Sequence, residues 1–385
     1  MRRGHNDKLK SLIAELGWSQ QQTASRFVRV AQEMGHTDLV SVGRSTISMW
    51  VSGTRPQDPA PAVLCETLSR GLGRPVRLEE IGLGRSPIPS AGAIWGADTL
   101  TALADLGRSV DRRGFIGTAV YSVAGLALPE ESWWRQCLER ARARSTTRGT
   151  VTSDDIDANR HATAQRYLQL AAKLAAEAGD RALVGHILRA LAHQALDLGH
   201  YPQAANLTEA ATSCYDATGP RERALLGVVH ARSLARVGDT KSASQALLRA
   251  EDDLSDATPD TEPARVWFFG RASLAHETAR TLQAMGDLGS AQREFERSVQ
   301  LRGAAFSRTH AVTLGYLGEI QASRGEIEAA CATWSRALDA MEGVRSGRAK
   351  NTVQTMRTAL STVRGRGISA VREVDLRAAE VLRVA

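Results

Sequence analysis

Leu198-Gly199-His200-Tyr201-Pro202-Gln203-Ala204, Val237-Gly238-Asp239-Thr240-Lys241-Ser242-Ala243, Met285-Gly286-Asp287-Leu288-Gly289-Ser290-Ala291 and Arg324-Gly325-Glu326-Ile327-Glu328-Ala329-Ala330 share one layout, in which a Gly precedes an Ala by five residues. Seven residues after that Ala stand Ala211, Ala250, Ser298 and Ala337, and twelve before it stand Ala192, Ala231, Ala279 and Gly318. Every one of these positions is small. A Gly ends a helix by taking the left-handed conformation just past its last turn. The next helix then folds back, and small residues at the crossing let the two backbones approach. Such a hairpin buries little surface alone, so hairpins must stack. The glycines lie 39, 48 and 39 residues apart, which fits a two-helix unit of ~34 residues with connections of uneven length.

Outward from these repeats the chain changes character. Its 385 residues predict about two domains at ~100–200 residues each. The expected division is a helical head over 1–85, a linker and bridging region over 86–150, and the repeats over 151–385. Arg85-Ser86-Pro87-Ile88-Pro89-Ser90-Ala91-Gly92 discourages helix. Beyond it lie an apolar run over 112–129, Trp133-Trp134 and a basic stretch from Arg140 to Arg148. Arg112-Arg113 before that run imitates an export signal, but it lies over a hundred residues into the chain, and the run is short of the ~18 residues of a membrane span. Residues 112–129 are therefore expected to pack as a buried helix or an interdomain segment. Further helix pairs are expected to flank the repeats, from about Asp155 to Gly179 and from Arg348 to Val384. Strand-like alternation is scarce, and the predicted fold is all-α.

Cys65, Cys137, Cys214 and Cys331 lie far apart with no C-x-x-C pair, which argues against a zinc knuckle or a disulfide framework. With a polar N-terminus and no apolar segment behind it, this predicts a cytoplasmic protein with no membrane partner. The net charge of +7 permits an anionic partner.

In the head, Asn6 to Leu16 reads as a first helix, with Leu9, Leu12, Ile13 and Leu16 on one face and Gly17 as its stop. Ser19 and Gln22 form a capping box for a second helix, and Ala24 allows close crossing. A third helix fits Val42 to Val51, with Ile47, Trp50 and Val51 inward and Arg44, Ser45, Ser48 and Met49 outward. A fourth is expected over Ala62–Arg70 and a short fifth over Leu78–Ile81. Residues 1–85 carry 12 Lys plus Arg against 8 Asp plus Glu, a modest net +4.

Two resemblances follow. Trp18-Ser19-Gln20-Gln21 and Arg44-Ser45-Thr46-Ile47-Ser48-Met49-Trp50-Val51-Ser52-Gly53-Thr54-Arg55-Pro56 resemble the second and third helices of the lambda-repressor-like helix-turn-helix domain of XRE-family regulators, over roughly residues 6–84. That resemblance implies a DNA-binding surface of Gln20, Gln21, Arg44, Ser45, Thr46, Ser48, Met49, Thr54 and Arg55. Arg44 would pair with guanine O6 and N7, Ser45 and Ser48 would reach bases or phosphate, and Thr54 and Arg55 would hold phosphates. The long Val28–Ser41 connection departs from that family's short turn.

The repeats resemble the tetratricopeptide repeat (TPR). Leu188, Leu191, Leu314 and Leu317 fit its first-helix apolar positions, and Phe295 and Trp334 its second-helix aromatic position. Gly227, His230, Ala275 and Thr278 do not fit, and the repeat-ending Pro is missing. The resemblance places His186, Arg189, His193, Arg232, Arg236, His276, Arg280, Gln283 and Glu319 on a concave face suited to a signalling peptide or a small acidic ligand.

A head and repeats so combined resemble peptide-responsive RRNPP regulators of quorum sensing and actinobacterial helix-turn-helix–TPR regulators. This implies a homodimeric transcription regulator on a two-fold DNA operator. The alternative is a TPR adaptor whose head contacts another protein. No nucleotide-binding, zinc-protease or hydrolase motif is present, so no catalytic residue, metal or cofactor is assigned. His186, His193 and His200 recur every seven residues, ~10 Å apart along a helix at 1.5 Å per residue, too far to share one metal. Trp267-Phe268-Phe269 and Trp334 are expected in the core or at a dimer contact.

Overall fold

A computed structural model of the chain describes residues 5–33, 37–57, 59–72, 76, 78–83, 126, 128, 161–258, 262–302, 307–342, 347–363, 365 and 367–384. The fold is all-α, and the described residues contain no strand. None of their helices is long and apolar enough to cross a membrane. The linker, the Trp133-Trp134 pair, the 140–148 stretch and the 112–129 run lie outside the described residues, apart from Leu126 and Leu128.

The chain forms two compact units. The first holds α1 (Asp7–Glu15), α2 (Gln20–Glu33), α3 (Arg44–Val51), α4 (Ala60–Leu72) and α5 (His161–Glu177). Asn6 caps α1 by accepting from the Leu9 N–H at 3.1 Å. Its side chain also donates to the Ile81 carbonyl at 2.8 Å, and its backbone N–H donates to the Val51 carbonyl at 2.9 Å. One side chain thus starts the first helix and ties the start of the head to its end. The capping box forms: Ser19 Oγ accepts from the Gln22 N–H at 3.2 Å and Gln22 Oε1 accepts from the Ser19 N–H at 2.9 Å. Phe27 of α2 and Trp50 of α3 meet edge to face at 5.3 Å in a core with Leu9, Ile47, Leu64 and Leu68.

Three details correct the expectation. The third helix begins at Arg44, with Gly43 as its cap, rather than at Val42. The segment over Leu78–Ile81 is a run of turns and not a helix, although Ile81 and Leu83 still bury and close the core. A short 3-10 turn, Thr37–Leu39, interrupts the long connection between α2 and α3.

The second unit stacks five hairpins: α6 (Arg181–Asp197) with α7 (Tyr201–Thr212), α8 (Pro220–Arg236) with α9 (Thr240–Ser255), α10 (Arg271–Met285) with α11 (Leu288–Leu301), α12 (Ser307–Ser323) with α13 (Ile327–Ala340), and α14 (Gly347–Ser361) with α15 (Ser369–Val384). The last pair matches the helix pair expected from Arg348 to Val384. Gly199, Gly238, Gly286 and Gly325 all have φ between 81° and 91°, the left-handed turn their spacing predicts. Asp239 and Asp287 follow two of these glycines and cap the next helix, each accepting a backbone N–H at 3.0 Å. The small residues are buried at the helix crossings.

Leu188, Leu191, Leu314, Leu317, Phe295 and Trp334 are buried as the repeat pattern demands. Gly227 departs from that pattern because Tyr215 and Ala250 fill the space: a Cβ on Gly227 would sit 3.1 Å from the Tyr215 hydroxyl and 3.2 Å from the Ala250 Cβ.

Candidate functional site

Two surfaces carry the expected site residues. On the head, α3 is anchored by buried Ile47 and Trp50, and 3.6-residue periodicity turns Arg44, Ser45 and Met49 outward, where all three are exposed. Ser48 and Thr46 are half-buried beside them. Gln20 and Gln21 at the start of α2 line one hollow with Ser19 and Arg44. Two helix starts therefore converge where Arg44 projects. Arg55 also serves the scaffold, because its Nη2 donates to the Leu83 carbonyl at 2.7 Å and pins the closing turn. Thr54 lies with Arg55 in a separate hollow beside His5, Asp7 and Lys8.

In the repeats, first-helix residues from α6, α8, α10, α12 and α14 come together as a charged face. Arg232 of α8 is nearly solvent-free at 3% exposure and pairs with Glu277 of α10 at 3.2 Å and with Asp197 of α6 at 3.8 Å. Arg348 of α14 pairs with Asp197 at 3.4 Å and donates to His193 Nδ1 at 3.4 Å. His193 Nε2 faces Glu277 at 3.9 Å. Burial pushes the His193 imidazole down to about 3 against the pull of Asp197, with Arg232 and Arg348 adding to the fall. A neutral ring whose Nδ1 accepts from Arg348 carries its proton on Nε2, directed at Glu277. Burial alone would raise the Asp197 carboxyl, but the facing guanidiniums of Arg348, Arg232 and Arg280 hold it below the usual carboxylate range.

Arg280 lies 3.9 Å over the Tyr316 ring, and Arg236 lies 5.3 Å over Tyr201. The buried Nε atoms of Arg189 and Arg280 and the buried Oε1 of Gln283 have no hydrogen-bond partner among the described residues. Desolvation lowers Arg189 to about 10. Burial raises the Glu319 carboxyl, while Arg280 and Arg236 oppose it.

Two of the expected ligand contacts also bond within the scaffold. His186 Nδ1 bonds Glu222 Oε1 at 3.0 Å, a carboxylate that Arg265 also grips through two bonds at 2.8 and 2.6 Å. His276 packs edge-on against the stacked rings of Phe295 and Tyr316 and bonds Thr313 at 3.0 Å, joining neighbouring hairpins. The seven-residue histidine series thus disperses: His186 goes to Glu222, His193 to the charged face, and His200 to the cap position of α7. Phe269 and Trp334 lie in the core as expected, but Trp267 and Phe268 are exposed at 69% and 39%. Asp197, Glu277 and Arg348 were not among the expected site residues. Nothing in the small-residue spacing marks them, because they are defined by which first helices face one another.

Residues 9–84 match the family model of the SP15 N-terminal domain. The SP15-N-like head therefore spans α1 to α4 and the closing turn that Asn6 and Arg55 hold. Among curated proteins no relative matches the chain. Among solved structures, a Rap protein complexed with competence and sporulation factor is similar at 12% identity and a TM-score of 0.44, over 97% of this chain and 87% of that one.

Proposed function

We propose that the protein is a non-enzymatic, homodimeric transcription regulator. The outer face of α3 reads a two-fold DNA operator, and the charged face of the repeats binds a signalling peptide or a small acidic ligand that changes how the two heads are presented. The observation that carries the DNA reading is the convergence of exposed Arg44, Ser45 and Met49 with Gln20 and Gln21, on a helix whose opposite side is locked in the core. Arginine offers two parallel donors to guanine, serine reaches a base edge or a phosphate, and methionine meets a thymine methyl. Half-sites about one DNA turn apart would follow from a dimer. Support for the ligand comes from the repeats, where Arg189 and Arg280 hold buried donors, and Gln283 a buried acceptor, without partners among the described residues. Ligand coupling worth ~1–3 kcal/mol changes occupancy 5- to 150-fold.

The test is selection of bound fragments from genomic DNA by the purified full chain, followed by mobility shift at ~50 and ~200 mM salt. Enrichment of a two-fold sequence and a steep salt dependence are expected. Recovery of fragments without sequence preference refutes the reading, and total absence of DNA binding favours the adaptor alternative.

A further inference from the structure

In a stack of helical repeats each unit touches only its neighbours. Here Arg348 reaches Asp197 across 151 residues and His193 across 155, with three whole hairpins between them in the chain. Following the polar contacts round gives a closed ring. Arg348 meets Asp197 and His193, His193 faces Glu277, Glu277 meets Arg232, and Arg232 returns to Asp197. Four helices, α6, α8, α10 and α14, supply its five members. The ring joins the first hairpin to the fifth.

Its charge balances, with two guanidiniums, two carboxylates and a neutral imidazole. Asp197 keeps 26% of its side chain in solvent and Arg348 36%, whereas Arg232 keeps 3%. The Arg348–Asp197 contact is therefore the accessible side of the ring and Arg232–Glu277 its floor. Next to this neutral ring stand Arg189 and Arg280. Neither has an ion-pair partner among the described residues, and each has a buried Nε without an acceptor. The electrostatic surplus on this face is positive, and it falls beside the Arg348 contacts that span the stack.

We propose that the ring is a clasp, and that a ligand carboxylate opens it by replacing Asp197 on Arg348, with Arg189 and Arg280 supplying the surrounding positive charge. This rests on the ligand reading above and adds the chemical group recognised and the contact it displaces. An incoming carboxylate offers Arg348 two acceptor oxygens, whereas Asp197 turns one oxygen to Arg348 and the other towards Arg232. The ligand carboxylate also offers an acceptor to the buried Nε atoms of Arg189 and Arg280, which have none among the described residues, and this favours the exchange. Once Arg348 turns to the ligand, α14 is no longer tied to α6, and the fifth hairpin moves independently of the first.

Hydrogen exchange on the full chain tests this, with N-acetyl-tetra-alanine bearing a free C-terminal carboxylate as probe and its carboxamide twin as control. An ion pair worth ~1 kcal/mol corresponds to about a fivefold change in local opening. The free acid is expected to protect backbone amides of α6, α8 or α10 and to speed exchange over 347–361 about fivefold; the amide twin does neither. Asp197→Asn should already exchange faster over 347–361, with no further rise on adding the probe. Arg348→Lys, which keeps the charge and loses the planar fork, should fall between Asp197→Asn and the native chain. Protection of the groove with 347–361 unchanged overturns the clasp and leaves the ligand reading intact. Equal protection by both twins overturns the carboxylate assignment, and absence of protection by either overturns the proposal and the ligand reading together.

Discussion

Gly318→Ala tests the rule that small residues set the spacing of the hairpins. Gly318 lies on α12, where α13 crosses, and a Cβ there would sit 2.4 Å from Trp334 Nε1 and 2.5 Å from its Cδ1. The indole has little room to withdraw. Its ring is 1% exposed, and its Nε1 donates to the Gly315 carbonyl at 3.1 Å. Three terms compete. Alanine gains ~1 kcal/mol over glycine in helix propensity. Overpacking costs ~1–3 kcal/mol. Dislodging the indole leaves a buried donor without its acceptor, a further ~1–3 kcal/mol. The expected net is destabilisation of about 1–5 kcal/mol. At ~2–4 °C per kcal/mol for a unit of this size, a central loss of ~3 kcal/mol lowers the melting temperature by ~6–12 °C.

Calorimetry on the full chain, following the transition of the repeats, is the assay. Gly286→Ala is the control: its φ is +86° with nothing within 4 Å of a Cβ, so it should lose only the ~1–2 kcal/mol of a left-handed alanine. Gly318→Ala combined with Trp334→Leu should recover part of the overpacking term. A Gly318→Ala chain as stable as the native one would refute the reasoning, because the propensity gain would then outweigh the steric cost.

Arg44→Ala should relax base preference at one operator position at a cost of ~1–3 kcal/mol, read by competition between operator variants; equal loss on every sequence would make Arg44 a phosphate contact only. Glu222→Ala strands His186 and the twice-bonded Arg265, and should cost ~3 kcal/mol in urea unfolding, towards the low end because Arg265 is 30% exposed and can rehydrate. No shift in midpoint would mean this cluster is dispensable. Burial lowers His186, His193 and His276, so the unfolded chain takes up protons that the folded one excludes. Stability is therefore held above the unfolded imidazole value of ~6.5 and is lost as pH falls below it, at up to ~1.4 kcal/mol per pH unit for each histidine. Urea midpoints at pH 7.5, 6 and 5 that coincide would contradict this.

The elements most legible in the sequence are those decided within one hairpin. Gly199, Gly238, Gly286 and Gly325 turn left-handed because each ends its own helix, and the alanines lie buried because each meets only the next helix. The Ser19–Gln22 box and the inward Ile47 and Trp50 are equally local. The Leu78–Ile81 segment misled because its apolar residues are needed to close the head core, which turns achieve as well as a helix does.

The TPR resemblance assigned Arg189, Arg232 and Arg280 to one face without revealing their partners. His186 and His276 share that assignment, yet the neighbouring hairpin captures them. The composition and spacing of the chain determine an all-α molecule with a capped helical head and stacked helix pairs. Only the tertiary structure decides that Arg348 lies against Asp197. Their approach depends on the accumulated rotation of every hairpin between them, and no local pattern of residues records that sum.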